Sequence, residues 1–199
     1  MAEFEATGSL FPTSKWAAEE MTRPLQDTSP PRRILEIGPG TGSVTTRILS
    51  DMRAGDELTI CELNPRFMKA LKKKLALDKN FLKHRDRISF FEGAVQKLSS
   101  DKSFDVIVCA LPFLNFDRKT VEDIFQRLRA LSHEKTVMTY YEYIGLKSIG
   151  MAVSLPDRKK RLLEVESFFD ALYSHRHQRR KRVWLNILPI SVYTIELAA

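Results

Sequence analysis

Residues 34–42, Ile34-Leu35-Glu36-Ile37-Gly38-Pro39-Gly40-Thr41-Gly42, admit few folds. Ile34 to Ile37 reads as a buried parallel strand, and a helical pattern (Val44, Ile48, Leu49, Met52) begins just after three alternating glycines. Glycine lacks a Cβ, so it permits a tight strand-to-helix turn and lets a ligand lie directly on the backbone. The amides that open the helix then face whatever occupies that turn. A nucleotide-like cofactor is therefore expected at residues 38–42.

The rest of the chain alternates in the same way. Strands are expected over 57–62, 87–92, 104–109 and 135–143. Helices are expected over 43–53, from Asn64-Pro65 onward, over 118–131 and over 159–173. Two last strands, 181–188 and 190–197, meet at Pro189 without a helix between them and predict an antiparallel hairpin. The fold class is thus α/β: a Rossmann-like, doubly wound seven-stranded sheet with a C-terminal antiparallel hairpin. Ligands of such sheets bind beyond the carboxyl ends of the strands. The glycine turn, Glu62, Gly93 and Leu111 all fall at such ends.

Thr13 or Ser14 caps an N-terminal helix with Trp16, Ala17, Met21 and Leu25 at helical spacing. Residues 1–30 are expected to form an amphipathic region that lids the cofactor and contacts a membrane, and 31–199 the domain proper. That apolar stripe fits insertion of Phe11, Trp16, Met21 and Leu25 into lipid, and equally packing on a core.

The net charge is +7 and unevenly spread. Residues 1–30 hold five acids against two bases, whereas 157–182 hold nine Lys or Arg against four acids. A basic C-terminal third suits a polyanionic partner, either an anionic membrane surface or nucleic acid. The acidic N-terminus has no apolar core of a secretory signal, and no stretch approaches a membrane span. Cys61 and Cys109 read as buried reduced thiols, His133, His175 and His177 as surface or structural residues, and His84 as solvated. The histidines, cysteines and acids form no metal-ligand cluster, so no metal is expected.

Glu36-x-Gly38-x-Gly40-x-Gly42 resembles the first motif of class I S-adenosylmethionine-dependent methyltransferases. The spacing differs from the G-x-G-x-x-G of a dinucleotide site, and the terminal hairpin fits the methyltransferase sheet. The cofactor implied is S-adenosylmethionine. Its site would comprise Glu36, Gly38, Pro39, Gly40 and Gly42, with Glu62 about twenty positions on for the ribose hydroxyls. Leu63 and Leu111 would form apolar walls, with Gly93, Ala94 and Val95 beside the adenine. Ala94 stands where many such enzymes carry an acid for the adenine amine, so backbone groups or Gln96 would serve there.

Cys109-Ala110-Leu111-Pro112-Phe113 occupies the acceptor position of that fold. Enzymes that methylate nucleobase amines carry Asn or Asp there, because an aryl amine's delocalised lone pair must be localised by an acceptor. Ala110 cannot do this, whereas an aliphatic amine needs only to lose a proton. Gly8-Ser9-Leu10-Phe11-Pro12-Thr13-Ser14, Leu111-Pro112-Phe113-Leu114-Asn115-Phe116 and Arg182-Val183-Trp184-Leu185-Asn186 together resemble the small bacterial phospholipid N-methyltransferases. The resemblance implies methylation of phosphatidylethanolamine toward phosphatidylcholine, or of a related ornithine lipid. Tyr140 and Tyr141 are the candidates for positioning the amine, and Phe11, Pro112, Phe113, Tyr143 and Arg182 for holding the substrate. The expected location is cytoplasmic, peripherally attached to the inner face of the membrane. A ribosomal RNA adenine N6-methyltransferase is the alternative, and a membrane-binding protein with an inactive pocket a third reading. Nucleic acid is disfavoured as a partner by Ala110.

Overall fold

The computed structural model describes residues 13–99, 101–144, 156–173 and 178–197. Seven strands form one sheet in the order β3-β2-β1-β4-β5-β7-β6. They are β1 (Arg33–Ile37), β2 (Glu57–Glu62), β3 (Ile88–Glu92), β4 (Phe104–Cys109), β5 (Ser132–Tyr143), β6 (Gln178–Val183) and β7 (Ile190–Glu196). β7 runs antiparallel to both β5 and β6, and the other neighbours are parallel. The expected architecture is the observed one, and the carboxyl ends of the five parallel strands, β1 to β5, meet on one edge.

The helices are α1 (Lys15–Thr22), α2 (Pro24–Asp27), α3 (Ser43–Asp51), α4 (Pro65–Leu75), α5 (Lys79–His84), α6 (Arg118–Ala130) and α7 (Pro156–Tyr173). Side-chain caps fix several starts: Ser14, Asn64, Asp78 and Asp117 each accept a backbone N–H of the first turn. On one face of the sheet Ile37, Cys109, Met138, Tyr140 and Ile195 pack with Val121, Phe125 and Leu128 of α6 and Val165 and Phe169 of α7. On the other, Ile34, Ile60, Val108 and Val192 pack with Met21 of α1, Ile48 of α3 and Leu71 of α4.

Several expectations change. The N-terminal helix breaks at Arg23-Pro24, because proline has no N–H to continue it. Ala17, Met21 and Leu25 are buried in the core, and the Thr139 hydroxyl donates to the carbonyl of Met21 at 2.7 Å. Met21 and Leu25 are therefore core residues and cannot insert into lipid. The described part of residues 1–30 shares a core with the sheet. Phe11 lies outside the described residues. The last hairpin is narrower than its apolar pattern suggested, with 184–189 a loop between β6 and β7. His84 is buried, its Nδ1 2.9 Å from the Arg87 guanidinium, and burial lowers its basicity below the ordinary histidine value.

The amino edge of the sheet is fixed by a buried ion pair. Arg32 and Asp56 are both fully buried, with Arg32 Nη2 2.5 Å from Asp56 Oδ2. Asp56 also accepts the amides of Arg32 (2.8 Å) and Arg53 (2.7 Å). Burial alone would raise the Asp56 pKa, yet the Arg32 guanidinium and these amides outweigh it and hold the carboxyl below its ordinary range. Cys61 and Cys109 are buried free thiols, each pushed up to about 12 by burial.

Candidate active site

The turn after β1 is built from three left-handed glycines, Gly38 (φ 70°), Gly40 (φ 52°) and Gly42 (φ 77°). At two of them a side chain would meet a neighbouring leucine. A Cβ on Gly38 would meet Leu111 Cδ2 at 3.0 Å, and one on Gly42 would meet Leu71 Cδ1 at 2.4 Å. Gly40 faces open space, with nothing within 4 Å of a Cβ built there. The turn is tied down by Gly38 N to Cys61 O (2.9 Å) and Gly42 N to Pro39 O (2.8 Å). Above it lies a pocket bounded by Thr13, Gly38, Gly40, Phe67, Ala110 and Tyr141.

Two carboxylates flank this turn. Glu36 is fully buried on β1, and its Oε1 accepts the Thr45 hydroxyl of α3 at 3.0 Å. Its Oε2 has no hydrogen-bond partner among the described residues. Burial pushes Glu36 up to about 8, with Thr45 opposing and Glu62 adding to the rise. Glu62 is 6% exposed at the end of β2; it accepts Asn64 N at 2.8 Å and Gly40 N at 3.4 Å. Burial raises its pKa too, and the amides of Asn64, Gly40 and Leu63 oppose that. Lys74 reaches in from α4, its Nζ donating to Thr41 O at 2.8 Å. These groups give the turn spare acceptor capacity in a desolvated setting, which suits a ligand carrying hydroxyls and an ammonium.

The neighbouring strand ends complete the edge. Gly93 N donates to Glu62 O at 2.9 Å, extending the β2–β3 ladder past Glu92. Ala94 is half-buried and Val95 buried in the short 3-10 turn that follows. Leu63 is exposed beside Glu62, and Leu111 is half-buried against Gly38.

On the acceptor side the expected residues separate. Tyr141 lines the pocket, and Tyr143 packs on it edge-on at 5.4 Å. Tyr140 points to the opposite face, fully buried and stacked between Tyr193 (5.1 Å) and Phe169 (5.4 Å). Phe113 is also core, turned inward by the 3-10 turn Phe113–Asn115 onto Phe125 and Tyr140. Their placement on the amine and the substrate is thus corrected: alternation along β5 sends Tyr140 away from the pocket, and Phe113 fills the aromatic core beneath it. Pro112 is half-buried at the strand end. Arg182 is exposed on the edge strand, in register with Ser191 and, across β7, with Glu142.

Other contributors were not singled out from the residues. Thr45 follows the glycines by one helical turn, and a hydroxyl at that spacing is the signal for its bond to Glu36. Lys74 is one of four lysines on α4, and its position one turn after Leu71 is what aims it at the turn. His133, expected to be a surface or structural residue, pairs through Nε2 with Asp105 at 3.0 Å. His175 and His177 lie outside the described residues. Among the described residues no group of His, Cys, Asp and Glu could hold a metal ion.

A family profile described as "Methyltransferase domain" matches residues 34–134, just over half of the chain. The chain belongs to the methyltransferase domain family. The matched span runs from β1 into β5 and so contains the glycine turn, both carboxylates and Ala110. Among curated relatives, a ubiquinone/menaquinone biosynthesis C-methyltransferase of Rhodopseudomonas palustris is 30% identical over 96 residues, covering 48% of this chain and 36% of its own. An ornithine lipid N-methyltransferase of Singulisphaera acidiphila is 25% identical over 121 residues, covering 61% of this chain and 62% of its own. The chain thus spans about a third to two thirds of the length of these relatives. The glycopeptide N-methyltransferase MtfA, solved with S-adenosylhomocysteine, superposes with a TM-score of 0.64 at 14% identity, over 89% of this chain and 86% of that one. A cofactor-bound protein, Rv0187 from MTB, gives 0.68 at 12% identity, over 100% of this chain and 87% of that one. At such identities the likeness is one of fold, and it is the class I S-adenosylmethionine-dependent methyltransferase fold that the glycine motif implied.

Proposed function

We propose that this methyltransferase transfers methyl groups from S-adenosylmethionine to the headgroup amine of a membrane lipid, either phosphatidylethanolamine toward phosphatidylcholine or an ornithine lipid. Ala110 carries this reading. It lies at the end of β4, buried at the pocket wall beside Gly38 and Tyr141, with no side-chain acceptor to localise the lone pair of an aryl amine. An alkyl amine needs none. The ornithine lipid N-methyltransferase relative supports the same class of acceptor.

When bound, S-adenosylmethionine would supply a sulfonium methyl to a neutral amine attacking in line, the C–N bond forming as the C–S bond breaks and S-adenosylhomocysteine leaves. The residues present fit such a ligand. The Glu62 carboxylate stands ready for paired hydroxyls, Gly40 leaves the turn open above its backbone, and Glu36, neutral in the free protein, keeps one oxygen without a partner for a polar group of the ligand. Tyr141, with Tyr143 on its ring, presents an aromatic and phenolic surface that stabilises an ammonium before it deprotonates and holds the neutral amine afterwards. Positioning and exclusion of water supply most of the rate, as expected where no acid or base is required beyond loss of one proton.

Lipid extracts from a host expressing the protein, compared by mass spectrometry with an empty-vector control, test this. New methylated phosphatidylethanolamines or ornithine lipids are expected. An unchanged lipid profile with new N6-methyladenine in ribosomal RNA would replace this reading with the nucleobase one.

A further inference from the structure

Both tryptophans of the chain are exposed, Trp16 at 45% and Trp184 at 62%, and both sit at the pocket end of the sheet. Trp184 opens the β6–β7 loop, where Leu185 and Ile187 are also exposed at 61% and 63%. Val183 is in register with Ile190 and, through it, with Tyr143, so this loop leaves the sheet at the carboxyl end of β5. Two contacts hold it there. Ile144 N donates to Pro189 O at 2.7 Å, and Ser14 N donates to Asn186 Oδ1 at 2.8 Å. Ser14 is the cap of α1, next to Thr13 on the pocket wall, and Trp16 lies in the first turn of that helix.

The loop 184–189 contains no charged residue, and the strand leading into it exposes Lys181 and Arg182. Lys15 lies 4.6 Å over the Trp16 ring. The nearest acids on the same elements are spent or displaced: Glu20 pairs with Arg179 at 2.6 Å, and Glu19 is one turn further along α1. Apolar side chains with indoles, rimmed by cations and set around a pocket mouth, match the interface of an anionic bilayer, where indole rings reside at headgroup depth. Folded monomers do not usually leave three large apolar side chains together on one short loop without a partner.

We infer that the β6–β7 loop, with Trp16, is the membrane-inserting surface of the protein and that it seats the pocket mouth on an anionic lipid bilayer. This rests on the lipid-amine reading and sharpens it: the contact is a pinned loop in place of the stripe of α1, whose Met21 and Leu25 are buried.

Because the chain has two tryptophans and both lie in the patch, its indole emission reads this surface alone. The full chain is titrated with phosphatidylcholine vesicles, with and without phosphatidylglycerol, and then with vesicles of brominated phosphatidylcholine and phosphatidylglycerol. A blue shift on the anionic vesicles and strong quenching by the brominated chains are expected. The triple variant Trp184→Ser, Leu185→Ser, Ile187→Ser should bind anionic vesicles about tenfold more weakly, with donor binding by calorimetry unchanged. Vesicle binding without a shift in emission, or undiminished in the triple variant, would overturn the inference by placing the contact elsewhere. A triple variant that only converts a dimer to a monomer in sedimentation would also overturn it, the loop then covering a second copy. Methyl transfer to monomeric short-chain phosphatidylethanolamine keeps the two claims apart. If that reaction proceeds while emission ignores vesicles, the surface is wrong and the function stands. If emission shifts and no lipid amine is methylated, the surface stands and the function falls.

Discussion

The carboxyl edge of the sheet has two unlike halves. Around β1, β2 and β3 it is backbone and charge: three left-handed glycines, the buried Glu36 and Glu62, and Lys74 capping the Thr41 carbonyl. Around β4, β5 and β7 it is aromatic, with Phe113, Tyr140, Phe169 and Tyr193 packed ring against ring on one face and Ala110 and Tyr141 on the pocket wall. The first half can recognise one kind of ligand, because its groups have fixed hydrogen-bonding demands. The second can be reshaped by one side chain, and Ala110 is such a change. The two halves are thus governed by different physics.

The contrast is sharpest where a large side chain is removed from each half. Phe113→Ala should destabilise the protein by about 3–5 kcal/mol in denaturant melts, since it leaves a void among Phe125, Tyr140 and Phe169. Donor affinity measured below the transition should stay close to wild type. A large loss of donor affinity with intact stability would instead return Phe113 to the pocket. Gly42→Ala should follow at about 2–4 kcal/mol, because the methyl meets Leu71 Cδ1 and the left-handed backbone is strained.

Glu62→Ala should invert the pattern. Its effect on stability should stay within about 1 kcal/mol, while donor binding by calorimetry weakens about 10- to 100-fold. Equal donor affinity in the variant would remove Glu62 from the site.

Much of this was legible in the residues. Strand-to-helix turns at Gly38–Gly42 and Asn64-Pro65 are local chemistry, so β1, β2 and α4 fell where expected, and so did the sheet class. What the residues could not convey was tertiary choice. Whether Met21 and Leu25 meet lipid or protein depends on a helix packing against α3 and the sheet, and helical spacing is the same in either case. Tyr140, Tyr141 and Tyr143 are equivalent by type, and only the pleat sends Tyr140 to the opposite face. Trp184 to Leu188 is as apolar as a strand, yet lacks a partner to pair with. Lys74 was hidden among like lysines, because its role is set by the turn it reaches across space.

A subtler test of the charged half lies in pH. Folded Glu36 holds its proton up to about pH 8, whereas the unfolded chain releases it near 4.5. The folded state therefore binds more protons between these values, so this group's contribution is full below pH 4.5 and is lost as pH rises through 8. Its slope is at most about 1.4 kcal/mol per pH unit. Donor-free Glu36→Gln should lack that slope relative to wild type and be the more stable of the two at pH 8, in thermal melts taken from pH 5 to 8. Parallel curves for the two proteins would mean that Glu36 is ionised in the fold.

The central claim is that an acidic glycine turn here serves an aliphatic lipid amine. Purified protein incubated with methyl-labelled S-adenosylmethionine, mixed phosphatidylethanolamine–phosphatidylglycerol or ornithine-lipid vesicles, and ribosomal RNA in the same tube tests it most directly. Label is expected in the lipid phase as mono-, di- or trimethylated headgroups and absent from the RNA. Label confined to the RNA, or in neither phase with the donor demonstrably bound, would contradict the account.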